Sequence, residues 1–155
     1  MKRSVLLSLP LLLWGGLLLA PAPVRAQAVP AALRGRVFTS PQPIEIPSSA
    51  RGMLRKLKRQ DRVLFKRDAE GRWTIHFVAF FRKPLPVEQM GIVVLDPKQE
   101  AVAVAEVAGQ KGQTSLATQI TVDSTEAPGK KHLLRVYYAK KGKPIVLAEK
   151  KIVLK

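Results

Sequence analysis

The chain contains no cysteine. Disulfides, thiol nucleophiles, cysteine-based zinc sites and thiol redox chemistry are excluded together. Histidine is nearly as scarce. His76 and His132 are the only two, with no companion at metal-ligand spacing. Aromatic residues make up 6% of the chain, too few to stack a run of bases, and no nucleic-acid-binding motif accompanies them. No nucleophile elbow, paired-histidine metal helix or phosphate loop occurs. The sequence therefore predicts a non-enzymatic protein with no cofactor, no metal and no sequence-specific nucleic-acid partner.

Long apolar runs are also missing, with one exception at the N-terminus. Lys2 and Arg3 precede an apolar stretch over residues 5–20, interrupted by Pro10 and the Gly15-Gly16 pair. Pro21 and Pro23 follow, then two small-residue exits, Val24-Arg25-Ala26 and Ala26-Gln27-Ala28. A membrane-spanning helix wants about 20 apolar residues, and this run is shorter and broken. The pattern predicts a secretory signal over residues 1–28, cleaved near Ala26 or Ala28, and hence a periplasmic or secreted protein.

Acidic charge is the last scarcity. Eleven Asp and Glu stand against 27 Lys and Arg, a net charge of +16 over 155 residues. Without residues 1–26, which carry Lys2, Arg3 and Arg25, 24 basic and 11 acidic side chains remain, for +13. Such an imbalance attracts anionic partners. It equally serves simple solubility.

What remains reads as one domain behind a proline-rich lead-in. Residues 29–47 hold Pro30, Pro41, Pro43 and Pro47, leaving room for one short edge strand over residues 37–39. Residues 48–155 form the predicted domain. Ser48-Ser49 offers a cap to a short amphipathic helix over residues 49–60, with Ala50, Met53, Leu54 and Leu57 on its apolar face. The period then changes to two. Residues 63–65 and 73–81 read as strands of one hairpin around Gly71, the second apolar on both faces and so central. Further strands fall at residues 92–95, 102–107, 116–122, 133–139 and 145–154. The expected fold is mainly β, a single antiparallel Ig-like β-sandwich of about seven strands.

Two resemblances accompany this reading. Pro128-Gly129, the stretch from Leu133 to Tyr138, Gly142 and the final strand resemble the closing hairpin of bacterial Ig-like domains. Ile46-Pro47-Ser48-Ser49-Ala50, with residues 73–85 from Trp73 to Leu85, resembles a family of small exported bacterial proteins with a signal, a short helix and a β-sandwich. Those residues are mostly core positions. The resemblance implies a fold and no catalytic positions.

Two basic clusters are candidate sites for an anionic partner. The first is Arg51, Arg55, Lys56, Lys58, Arg59 and Arg62, followed by Lys66 and Arg67. Its helix either packs its apolar face on the domain, the reading its four apolar positions favour, or lies peripherally on an anionic membrane. The second is the C-terminal hairpin, with Lys130, Lys131, Lys140, Lys141, Lys143, Lys150 and Lys151 beside Tyr137 and Tyr138, one of which must face outward. Lysines there also protect an edge hairpin from aggregation. His76 reads as an inter-strand residue and His132 as solvated. Asp68 and Glu70 read as turn formers.

The expected function is an exported binding or accessory module of the cell envelope that meets an anionic component or an envelope protein. The alternatives are an assembly partner using an edge strand, at residues 37–39 or the final strand, and a carboxylate-dependent envelope hydrolase using Glu100, Glu106 or Asp123.

Overall fold

A computed structural model of the protein describes residues 29–47, 49, 51–123 and 131–155. The expected signal, Ser48, Ala50 and residues 124–130 lie outside them. Among the described residues the fold is mainly β, with eight strands in two sheets and one α-helix.

Its pivot is β3 (Arg72–Phe80). Trp73, Ile75, Phe77 and Ala79 point to one side and are buried, and Val78 and Phe80 are buried on the other. A strand apolar on both faces must lie mid-sheet and be covered twice. Both conditions hold. β1 (Val37–Ser40) and β6 (Ser115–Asp123) flank it antiparallel in a three-stranded sheet ordered β1-β3-β6.

The inner face of that sheet closes on a five-stranded one. The second sheet comprises β2 (Leu64–Phe65), β4 (Gln89–Leu95), β5 (Ala101–Ala108), β7 (Lys131–Lys140) and β8 (Lys143–Leu154), in the order β2-β8-β7-β4-β5. Ile92, Val94, Leu134, Val136, Ile152 and Leu154 join Trp73, Ile75 and Phe77 in one core. The outer face of the three-stranded sheet carries a smaller core. There Phe38, Val78 and Phe80 meet Leu33 and the buried side of α1 (Met53–Gln60), namely Met53 and Leu57. The Phe38 and Phe80 rings meet edge to face, 6.1 Å apart.

The helix is shorter than its apolar spacing predicts. It starts at Met53 because Gly52 has φ +77°, a left-handed conformation that ends any helical run from residue 49. Ser49 donates its hydroxyl to the Arg51 carbonyl at 3.3 Å and caps nothing. Arg51 therefore precedes the helix.

The predicted hairpin between residues 63–65 and β3 does not form. Its turn exists: the Asp68 carboxylate accepts the Glu70 and Arg72 amides at 3.1 and 2.7 Å, and Gly71 has φ +77°. Beyond the turn, however, the chain leaves β3 for the other sheet. Val153 N–H donates to the Val63 carbonyl, Lys155 N–H to Phe65 and Arg67 N–H to Lys155. β2 thus runs parallel to β8. The reason is competition: β3 already has β1 and β6 on its two edges, so no ladder position is left for β2.

Three smaller differences follow. β8 lies between β2 and β7, so the final strand is internal along the part that β2 covers. His132 is buried within β7, not solvated, because inward Leu134 and Val136 continue its alternation. The strands among the described residues number eight.

The remaining turns match their residues. Lys141 (φ +50°) and Gly142 (φ +74°) form a two-residue turn with positive φ at both positions, the geometry that suits a twisted hairpin. Asp96, itself buried, accepts the Lys98 and Glu100 amides at 2.8 Å between β4 and β5.

Leu57→Ala should cost about 2–5 kcal/mol by opening a cavity under the helix. Arg55→Ala, exposed on the same helix, should stay within about 0.5 kcal/mol of the parent. Urea midpoints at equal slope measure both.

Candidate functional site

Six cations line one stretch of chain: Arg51 just before α1, Arg55, Lys56, Lys58 and Arg59 on it, and Arg62 just beyond. All six are exposed. None of them makes an ion pair among the described residues, whose four ion pairs involve Arg72, Arg135 and Lys150. Lys58 and Arg59 stand in the last helical turn, where cations face the negative end of the helix dipole. Arg62 folds back and donates to the Arg59 and Asp61 carbonyls at 2.9 and 2.8 Å, capping the helix end.

This surface is held rigidly from below. Asp61 accepts the Thr39 amide at 2.9 Å and pairs with Lys150 of β8, so one carboxylate ties the helix end to both sheets. Arg62 N–H donates to the Thr39 carbonyl at 2.6 Å. Gln60 exchanges two 3.1 Å hydrogen bonds with the Glu45 backbone, docking the lead-in. An open concavity lies along the solvent side of the helix, with Leu54 between Gly52, Arg55, Lys58 and Arg59. Chemically, the arrangement is a fixed array of positive charge around one half-buried apolar side chain. It has no apolar stripe left to insert into lipid, since Met53 and Leu57 are inside the fold.

The second predicted cluster is elsewhere. Lys140, Lys141 and Lys143 project at the tip of the β7–β8 hairpin, in the five-stranded sheet, whereas α1 covers the three-stranded one. No hydrogen bond or ion pair among the described residues joins the two groups. The paired tyrosines separate as strand alternation requires. Tyr138 packs against the main core, and Tyr137 lies on the outer face of the sheet over Gly91 of β4. That contact was not anticipated. Its signal in the sequence was Gly91 itself, a lone glycine inside a strand, which marks a close approach.

The acidic residues stay dispersed. Glu106 is opposite Gly91 on β5, Asp123 is opposite Arg72 at the end of β6, and Glu100 sits in the turn before β5. Asp68 and Glu70 both pair with Arg72 in their turn, as expected of turn formers. His76 lies half-buried on β3 between Ser40 and Gln119, and His132 belongs to the other sheet. Among the described residues no three His, Cys, Asp or Glu side chains gather into a potential metal site. No described helix is long and apolar enough to cross a membrane.

No protein-family model and no curated protein matches the chain. Among solved structures, it is similar over 58% of its length to an FMN-binding beta-glucuronidase from Facaelibacterium prausnitzii L2-6, at 17% identity and a TM-score of 0.40. It is also similar over 54% of its length to a glycosyl hydrolase family 2 member from Bacteroides cellulosilyticus DSM 14838, at 16% identity and a TM-score of 0.35. The chain spans 14% and 13% of those proteins. A likeness this slight transfers no activity.

Asp61→Ala removes the acceptor of the Thr39 amide and the partner of Lys150 together. It should destabilise the protein by about 1–3 kcal/mol, read as a lower urea midpoint, and should loosen the helix end, read as faster amide exchange at Thr39 and Arg62.

Proposed function

We propose that the protein is an exported, non-enzymatic binding or accessory module of the cell envelope, and that it engages an anionic component through the α1 surface. One observation carries this: six exposed cations within twelve residues, none neutralised by an acid among the described residues, on a helix whose apolar side is already buried. Cations kept only for solubility need no common face. The pattern of residues 1–28 supports export to the periplasm or beyond. The dispersal of Glu100, Glu106 and Asp123 supports a non-enzymatic role over that of a hydrolase.

The scaffold is best read as an Ig-like β-sandwich. The sheet orders β1-β3-β6 and β2-β8-β7-β4-β5 support this, as does a short second strand running parallel to the last one. On that reading α1 is an insertion between the first strands, carrying the charge on a face that the sandwich itself would otherwise leave apolar.

Reversing Arg55, Lys56 and Arg59 to glutamate should lower binding to an isolated envelope fraction by about tenfold or more and flatten its dependence on salt. Sedimentation with the fraction at 50 and 200 mM salt, about the range over which such contacts are screened, measures both. Undiminished binding by the triple variant ends the electrostatic reading.

A second reading, assembly by edge pairing, moves to a different strand. β1 is unsuited because the outward amide and carbonyl of Thr39 already bond Asp61 and Arg62. β5 is an edge of eight residues, alanine- and valine-rich, with Glu106 as its one charge and Val104 60% exposed. It lacks the lysines that protect an edge. Val104→Lys should release an envelope protein that stays bound through high-salt washing, with Tm within a few degrees of the parent. Retention of that partner by the variant rejects β5 as the pairing edge.

A further inference from the structure

The outer face of the five-stranded sheet holds an aromatic plane laid flat on backbone. A Cβ placed on Gly91 would lie 2.4 Å from Tyr137 Cζ and 2.7 Å from both Cε1 and Oη. Those two atoms are each bonded to Cζ. Equal distances only slightly longer than the one to Cζ put the Cβ position on the normal of the ring at Cζ. The Tyr137 ring therefore turns one face to Gly91 and its other, outer face away from it. Among the described residues no ring or cation stacks on that outer face, and the Tyr137 hydroxyl makes no hydrogen bond.

The polar groups around the ring are arranged by strand register. Glu106 is directly opposite Gly91, on the far side of the ring from β7. Its Oε2 accepts the Gln89 side-chain amide at 2.8 Å. This holds the carboxylate in place while its Oε1 and the Gln89 carbonyl oxygen remain open as acceptors. Two residues back along β7, the Arg135 Nε donates to Glu149 at 3.2 Å, which directs that guanidinium toward β8, on the other side of β7 from Gly91.

We propose that this face binds a pyranose ring of a glycan, stacked on Tyr137. The C–H-rich face of a pyranose carries partial positive charge and fits the negative face of a phenol ring, while its rim hydroxyls need acceptors and donors in the ring plane. Glu106 with Gln89 provides both: the open carboxylate and carbonyl oxygens accept, and the second N–H of the Gln89 amide donates. Two other ligands of aromatic planes fit less well. A stacked nucleotide would bring a phosphate charge to a face where Glu106 repels it and Arg135 is already paired with Glu149. A quaternary ammonium group is held by several aromatic walls, and here there is one. Gly91 completes the argument, because any side chain at that position would lift the ring off the sheet.

This site is on the opposite sheet from α1, so it stands or falls apart from the anionic-partner reading. The test is an NMR titration of the protein with cellohexaose, chitohexaose and hexagalacturonate. At least one should shift the Gly91, Tyr137 and Glu106 amide resonances to saturation. Tyr137→Ala should weaken that saccharide by about tenfold or more, with Tyr137→Phe close to the parent because the stacking plane survives. Tyr137→Ala also uncovers Gly91, so Glu106→Gln, which leaves the packing intact, serves as the second variant and should weaken binding several-fold. The proposal is overturned if none of the three saccharides shifts those resonances, or if both Tyr137→Ala and Glu106→Gln bind as the parent does. It is also overturned if only hexagalacturonate binds and the triple glutamate variant of α1 abolishes that binding.

Discussion

From Phe77 to Phe80 strand β3 has no solvent side, and the rest of the molecule answers to that. Its Trp73, Ile75 and Phe77 face demands a second sheet, and its Val78 and Phe80 face demands a further cover that a two-sheet fold alone does not supply. The helix exists to meet the second demand. With only eight residues it would be marginal in isolation, and its stability comes from Met53 and Leu57 packing on Phe38, Val78 and Phe80.

Because the helix is anchored by its apolar side, its cations are left with one direction to point. The same division recurs elsewhere. Arg72 is matched by Asp68 and Glu70 within one turn, and Arg135 by Glu149 across a hairpin. Acids are thus used where backbone turns and strand pairs need them. The surplus of positive charge collects on α1 and at the β7–β8 tip, whose cations form no ion pair among the described residues. An excess of charge spread evenly would carry little recognition; gathered on a rigid element, it forms a surface with a direction.

Strand positions were legible because each strand shows its own burial in its alternation. β3, β4, β6, β7 and β8 lie within a few residues of where period-two patterning puts them. Partner choice was not legible. Residues 63–65 and β3 are joined by a good turn, yet the turn only sets local direction, and the ladder went to strands more than thirty residues away in sequence. The helix start failed for a local reason: Gly52 was one residue among several consistent with a helix, and its left-handed φ is invisible in a hydropathy pattern. His132 was misplaced because its lysine neighbours speak for exposure, while its strand alternation, shared with Leu134 and Val136, decides for burial.

The candidate sites divide in the same way. The six cations near α1 could be named from the chain, since composition and spacing along one helix are local properties. The contact between Tyr137 and Gly91 could not, because it joins β7 to β4 across 46 positions and depends on register. What the sequence by itself determined is which segments alternate, which turn, and how much uncompensated positive charge the protein carries. Only the tertiary structure decided which strands pair, that the helix's apolar side is closed to other partners, and that one tyrosine lies flat on a glycine. Local pattern records the preference of each residue for water or core. Long-range contacts choose among the many ways of satisfying those preferences, and the choice is made by what the neighbouring strand edges and faces have already taken.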